Sequence, residues 1–231
     1  MSNLPLLRRV TLFADLSDNE LAEVEAIARK RSFRKHEVIF HSQEPGSALF
    51  ILTRGRVKVS INDRQGREII LRILEAGDFF GEMSLLDGEY RSATVTTLEP
   101  CQALIIFRDR FSEFIPRHPN VVMKMLTMLS RRLRKANEKI GRLAFADAHE
   151  KVASVLTELM EERKVPLSIG AELPLSLTRT ELANLAGISR ETFTRVMADF
   201  QRDGVFRVER RRIVVINPGK LRREATRSVF V

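Results

Sequence analysis

The chain has 231 residues, enough for two domains, and its 44% hydrophobic and 30% charged residues are the balance of a soluble globular protein. Thirty-nine basic against 30 acidic side chains leave a formal charge of +9, which points to a polyanionic partner. One cysteine, Cys101, excludes an intramolecular disulfide and a cysteine-ligated iron–sulfur cluster, and no apolar run is long enough to span a bilayer.

The N-terminus lacks the order of a signal peptide, because its charges follow its apolar residues, so a reducing cytoplasm is the expected compartment. Asp15 to Arg31 reads as a helix, with Ser17 and Asp18 at its cap and Leu21, Val24, Ile27 and Ala28 at helical spacing. From Ser32 to Phe107 short apolar runs alternate with glycines. The strands expected there are 38–40, 49–52, 57–61, 69–74, 93–95 and 103–107, with a hairpin turn at Asp63-Arg64-Gln65-Gly66. Such a series makes an antiparallel barrel or roll.

Pro116 and Pro119 end that texture, and a long helix is expected from about Asn120 to Phe145. Leu126, Leu129, Leu133, Ala136, Ile140 and Leu143 recur at alternating steps of three and four, the pattern of a coiled-coil seam. So narrow a stripe in so charged a helix favours pairing with a second copy over packing on its own domain. Asp147 caps a further helix through about Glu162, and Lys164 to Pro174 reads as a loop.

Thr178-Arg179-Thr180-Glu181 is a capping box, followed by a short helix with Leu182, Ala183 and Leu185 on one side. Gly187 permits a tight turn, and Ser189 caps a second helix from Arg190 to about Arg202. Two helices joined in this way form a helix-turn-helix. Arg190, Glu191 and Arg195 stand at the end of the second helix that reaches bases in the major groove. Two β runs around Glu209-Arg210-Arg211-Arg212 make a hairpin wing, and Arg211 with Thr178, Arg179 and the other wing arginines is expected to hold phosphates. From Thr178 onward there are twelve basic and six acidic residues, so most of the excess charge lies here and the expected polyanion is double-stranded DNA.

The second constellation is Phe80-Gly81-Glu82, then Arg91-Ser92-Ala93. The N–H groups around Glu82, Met83 and Ser84 suit a phosphate. Arg91 would neutralise it and Ser92 would donate a hydroxyl hydrogen bond, while Glu82 would accept from a ribose hydroxyl. Together they suit a cyclic phosphate on a sugar. Arg91→Ala is expected from this reading to weaken the ligand response while leaving the fold intact. The four histidines, at 36, 41, 118 and 149, show no metal spacing and read as surface or loop residues, and Cys101 as a core residue.

Three motifs in this order resemble the Crp–Fnr family of bacterial transcription regulators, close to its catabolite activator branch. They are the Gly81–Arg91 cassette, Arg131-Arg132-Leu133 through Phe145, and Ser189-Arg190-Glu191-Thr192-Phe193-Thr194-Arg195. The resemblance implies an α+β fold in three parts. A cyclic-nucleotide-binding β-roll covers residues 1–118, a dimerisation helix and hinge 119–146, and a winged helix-turn-helix 147–231. It implies a homodimer through the 120–145 helix, cAMP as effector with no metal, a TGTGA-like palindromic site, contact with RNA polymerase, and Ser189 and Thr192 among the DNA-facing residues. In that branch a Thr-Ser pair on the dimer helix contacts adenine, whereas this chain has Ala136-Asn137. Asn137 can serve adenine or guanine, or fix coiled-coil register. Some members of the family carry asparagine at the second position. A different effector such as cGMP, or constitutive DNA binding, is the alternative. A cyclic-nucleotide-regulated enzyme subunit finds no support, because the chain has neither a nucleophile–base set nor a P-loop.

Overall fold

The computed structural model describes residues 4–227 and divides between Leu133 and Arg134 into two compact units. In the first, α1 (Leu4–Leu7) and a 3-10 turn (Thr11–Phe13) precede α2 (Asp18–Ile27). The Ser17 side chain accepts from the Glu20 N–H, and Glu20 returns a bond to the Ser17 backbone, so the capping box starts α2 within one turn. The helix is shorter than the sequence suggests. Ala28 is already extended, and residues 29–31 join strand β1 (Arg29–Phe33), which pairs with residues 101–105. Pairing with a strand some seventy residues away overrides local helical periodicity.

Seven further strands follow: β2 (Val38–Phe40), β3 (Ala48–Arg54), β4 (Val57–Asn62), β5 (Glu68–Leu74), β6 (Phe79–Phe80), β7 (Thr94–Thr97) and β8 (Cys101–Phe107). They form two antiparallel four-stranded sheets, ordered β1-β8-β3-β6 and β2-β7-β4-β5. The expected hairpin joins β4 to β5, with the Gly66 N–H donating to the Asp63 carbonyl at 3.1 Å. β3 is buried on both faces, which explains its unbroken apolar run. Phe50 and Leu52 turn toward the second sheet, alongside Ala103 and Ile105 of β8. Leu49 and Ile51 turn the other way, onto Leu21 and Val24 of α2 and Phe111 and Phe114 of α4 (Arg108–Phe114). Cys101 is buried in the intersheet core. His118 is buried too, contrary to a surface role: its ring stacks 4.0 Å from Phe114, and its Nδ1 lies 3.1 Å from the Glu20 carboxylate.

Helix α3 (Glu82–Asp87) follows β6, and α5 (Pro119–Phe145) is the long helix expected from the sequence. The seam residues read from spacing on α5 divide between exposure and burial. Leu129 packs on its own unit's core, whereas Met123, Leu126, Leu133 and Ile140 are each more than half exposed. Of the expected seam, Leu126, Leu133, Ala136 and Ile140 are exposed, while Leu129 and Leu143 are partly buried. Ser130 and Asn137 are exposed as well.

The second unit contains α6 (Ala148–Glu162), β9 (Glu172–Pro174), α7 (Arg179–Ala186), α8 (Arg190–Arg202), β10 (Phe206–Glu209), β11 (Arg212–Val215) and α9 (Pro218–Ala225). Asp147, Thr178 and Ser189 cap α6, α7 and α8 as expected. The 164–174 segment is not all loop: β9 pairs with β11 and completes a three-stranded sheet, order β10-β11-β9. On α7 Ala186, rather than Leu185, joins Leu182 and Ala183 in the core. Helix α9, not anticipated, buries Leu221, and Arg227 pairs with Asp147 and Glu224.

The last turns of α5 belong to this unit. A Cβ on Gly187 would lie 2.4 Å from Leu143 Cδ2, so Leu143 packs directly on the turn between α7 and α8. Lys139 Nζ donates to the Leu185 carbonyl at 3.1 Å. Burial pushes the Lys139 pKa from 10.5 to about 8, against the pull of Glu158 and with the help of Arg142. The folded chain then sheds a proton near pH 8 that the unfolded chain keeps until near 10.5, so stability rises with pH across that window. Unfolding measured at pH 8 and pH 10 should show this gain in the wild-type chain and not in Lys139→Met. An equal gain in both would refute the assignment.

Candidate ligand site and nucleic-acid interface

The cassette residues converge at one corner of the roll. Gly81 adopts φ 81° and ends β6, and a Cβ there would meet Arg91 Nη1 at 2.6 Å and the Ala48 carbonyl at 2.8 Å. Only glycine combines that backbone conformation with that space. Arg91 is 4% exposed and lies over the Phe40 ring at 4.3 Å, within a cluster in which Phe50 and Phe80 stack at 5.1 Å. Its Nη1 donates to the Gly81 carbonyl at 2.8 Å and its Nη2 to the Ala48 carbonyl at 3.0 Å, while its buried Nε has no partner. Burial lowers the Arg91 pKa, opposed by the charges of Glu82 and Glu44, yet a guanidinium stays protonated.

Glu82 is 5% exposed, and its Oε1 accepts from Arg132 Nη1 at 2.5 Å. Arg132 also donates to the Phe79 carbonyl at 2.6 Å and stacks on the Phe79 ring at 4.4 Å. The sequence reading missed Arg132. It lies in a run of charged helix residues and only the fold brings it to a carboxylate fifty positions earlier. Ser84 is buried, Met83 is half exposed, and the Ser92 hydroxyl donates to Met83 Sδ at 3.4 Å. Gly81, Glu82, Met83, Ser84, Arg91 and Ser92 are thus together, around one buried cation and one buried carboxylate. Asn137 belongs to the other unit and is exposed on α5.

In the second unit α8 buries Phe193, Val196, Met197 and Phe200, which leaves Glu191, Thr194, Arg195 and Ala198 on its outer face. Thr194 was not singled out from the sequence; its exposure on this face is the signal. Arg190 is exposed at the first turn. Three predicted contacts carry capping duties. Thr178 Oγ1 bonds to Glu181, and Ser189 Oγ accepts from the Thr192 N–H at 3.1 Å and donates to Thr192 Oγ1 at 3.0 Å.

The arginines divide into two sets. Arg202 pairs with Asp199, Arg207 with Glu209, and Arg212 with Glu172 and Glu209. Among the described residues Arg179, Arg190 and Arg195, with Arg210 and Arg211 at the wing tip, form no ion pair, and Arg222 and Arg223 on α9 are also unpaired. The uncompensated charge of the helix-turn-helix and wing is therefore carried by these arginines, available to phosphates or guanine edges. Among the described residues no group of three or more His, Cys, Asp or Glu could hold a metal, and no helix is long and apolar enough to cross a membrane.

Residues 30–118 match the cyclic nucleotide-binding domain family, and residues 150–224 the Crp-like helix-turn-helix domain family. A CRP-like cAMP-activated global transcriptional regulator of Mycobacterium tuberculosis is 30% identical over 220 residues, covering 95% of this chain and 98% of that protein. A cyclic AMP receptor protein of Thermus thermophilus is 34% identical over 197 residues, 85% of this chain and 88% of the relative. Among solved structures, the c-di-GMP responsive global regulator CLP of Xanthomonas campestris aligns with a TM-score of 0.76 at 26% identity, covering 87% of this chain and 99% of that one. A mutant of CooA from Carboxydothermus hydrogenoformans aligns with a TM-score of 0.76 at 25% identity, covering 87% and 89%.

Proposed function

Because this chain belongs to the Crp–Fnr family of DNA-binding transcription regulators, which are not enzymes, we propose that it is a cytoplasmic homodimer that binds cAMP and then a palindromic, TGTGA-like DNA site. One observation carries the ligand half. Arg91 is a buried guanidinium with an unpartnered Nε and no ion pair among the described residues, held beside the buried Glu82 carboxylate. A buried cation that forms no direct ion pair is costly, and an anionic phosphate whose sugar hydroxyl reaches Glu82 would repay that cost. Gly81, Glu82, Met83, Ser84, Arg91 and Ser92 form the proposed phosphate and ribose site, and Asn137 the contact to the base, reached across the dimer.

The relatives named for cAMP favour that nucleotide. Asn137 in place of a hydroxyl pair keeps a second effector open, because its amide has both a donor and an acceptor for a purine. Calorimetry with cAMP and with cGMP decides between them, and heat from neither would sink the reading.

On the DNA, Arg190, Glu191 and Arg195 would read base edges, while Arg179, Arg211 and the capping residues Thr178, Ser189 and Thr192 lie against the backbone. Two such units would enter successive major grooves about 34 Å apart. RNA polymerase is the proposed protein partner. Arg190→Ala is expected to cost roughly 1–3 kcal/mol and to relax discrimination at one base pair of each half-site. Operator selection with the variant measures this, and unchanged selectivity would overturn the base-reading role.

A further inference from the structure

A second arginine works at the same corner of the first unit. Arg108 follows β8 and opens α4. Its Nη2 donates to the Ser84 carbonyl in α3 and, at 3.5 Å, to the Gly46 carbonyl. Its backbone N–H donates to the Ser47 carbonyl at 2.7 Å. Arg91 meanwhile holds the carbonyls of Gly81 and Ala48. Two arginines from different parts of the chain thus tie together the same two segments, residues 46–48 and 81–84.

The fit around Arg108 is specific. The Ser84 carbonyl also takes the Gly88 N–H at 3.2 Å, so the guanidinium sits at the C-terminal end of α3, where the helix carbonyls favour a cation. Gly88 has φ 82°, and a Cβ there would lie 3.3 Å from Arg108 Nη1. Arg108 Nε is buried without a partner, and Arg108 forms no ion pair among the described residues. This is a cation committed to backbone carbonyls.

The two arginines cannot behave alike when an anion binds. Each Arg91 donor that turns to a phosphate leaves Gly81 or Ala48 without its bond, and the tie between the segments weakens just as the site must hold its shape. Arg108 has no such conflict.

We infer that Arg108 is a positioning residue for the ligand site: it fixes α3 against residues 46–48 while Arg91 exchanges carbonyl partners for the anionic ligand. The inference rests on the cyclic-phosphate reading of that site. Pre-organisation of this kind raises affinity by cutting the ordering cost of binding.

The test uses the full chain, with Arg108→Met, which keeps the length and loses the donors, and Arg108→Lys, which restores one cationic donor. Without added nucleotide, amide hydrogen exchange at 82–88 and 46–48 should quicken by about tenfold in Arg108→Met, with the rest of the unit unchanged. The cAMP dissociation constant should rise by about tenfold, the loss of one charge-assisted hydrogen bond, and Arg108→Lys should recover most of it. Unchanged exchange in Arg108→Met overturns the inference whatever the nucleotide does. Faster exchange with unchanged cAMP affinity overturns it as well, because Arg108 would then only stabilise the fold. A wild-type chain that binds neither cAMP nor cGMP overturns the ligand reading and this role with it, and the exchange pattern separates that result from failure of the clamp.

Discussion

Arg91→Ala is expected to weaken cyclic nucleotide binding by a hundredfold or more. Two charge-assisted hydrogen bonds to a phosphate at roughly 1.5–3 kcal/mol each exceed the 2.7 kcal/mol or so that a factor of one hundred requires. The structure adds a cost that the motif alone hides. The Gly81 and Ala48 carbonyls depend on this guanidinium, so its loss leaves two acceptors unpaired in a buried corner. The variant should therefore also unfold more easily, by about 2 kcal/mol once relief of the buried charge is counted. Arg91→Lys separates the two effects, since it keeps the charge but cannot span both carbonyls. Calorimetry with cAMP and thermal unfolding of both variants measure them. Affinity within threefold of wild type in Arg91→Ala would remove Arg91 from the phosphate site.

The second large effect is expected at the exposed stripe of α5. Leu133 and Ile140 are each 64% exposed, spaced seven residues apart with Leu126 seven before. A large apolar side chain gains about 1.5–3 kcal/mol when fully buried, and a partner helix would bury several. Leu133→Glu places a charge on this stripe, where in the proposed homodimer it would face its own copy across a two-fold axis. Sedimentation should show a monomer, and affinity for the full palindrome should fall by about 10²–10⁴, the avidity of two linked half-sites, while single half-site binding changes little. A Leu133→Glu chain that stays dimeric would contradict the proposed interface.

Much of this architecture is legible in short windows of sequence. Ser17 with Glu20, Asp147 with Glu150, Thr178 with Glu181 and Ser189 with Thr192 are caps whose partners lie three residues apart, so their chemistry is visible without a fold. The β4–β5 hairpin and the Gly187 turn are legible for the same reason. What escaped depends on distant parts of the chain. The end of α2 is set by β8, which claims residues 29–33 as a strand partner. Strand β9 exists because β11 offers an edge. Leu129 left the expected seam because α5 turns it toward the core of its own unit. In the candidate ligand site the types Gly81, Glu82 and Arg91 were readable, but Arg132 and Arg108 were not, because nothing local distinguishes them from the charged residues beside them. Their roles appear only once the fold sets them beside Glu82 and Ser84.

Gly187 carries a consequence for how this chain can vary. Its φ of 65° is one that asparagine often tolerates at the end of a helix, and on backbone grounds alone asparagine is an acceptable substitute. Leu143 conditions that latitude, because a Cβ at 187 requires the leucine Cδ2 methyl to swing aside. The side chain that position 187 can carry therefore depends on the rotamer open to residue 143, at the far end of α5.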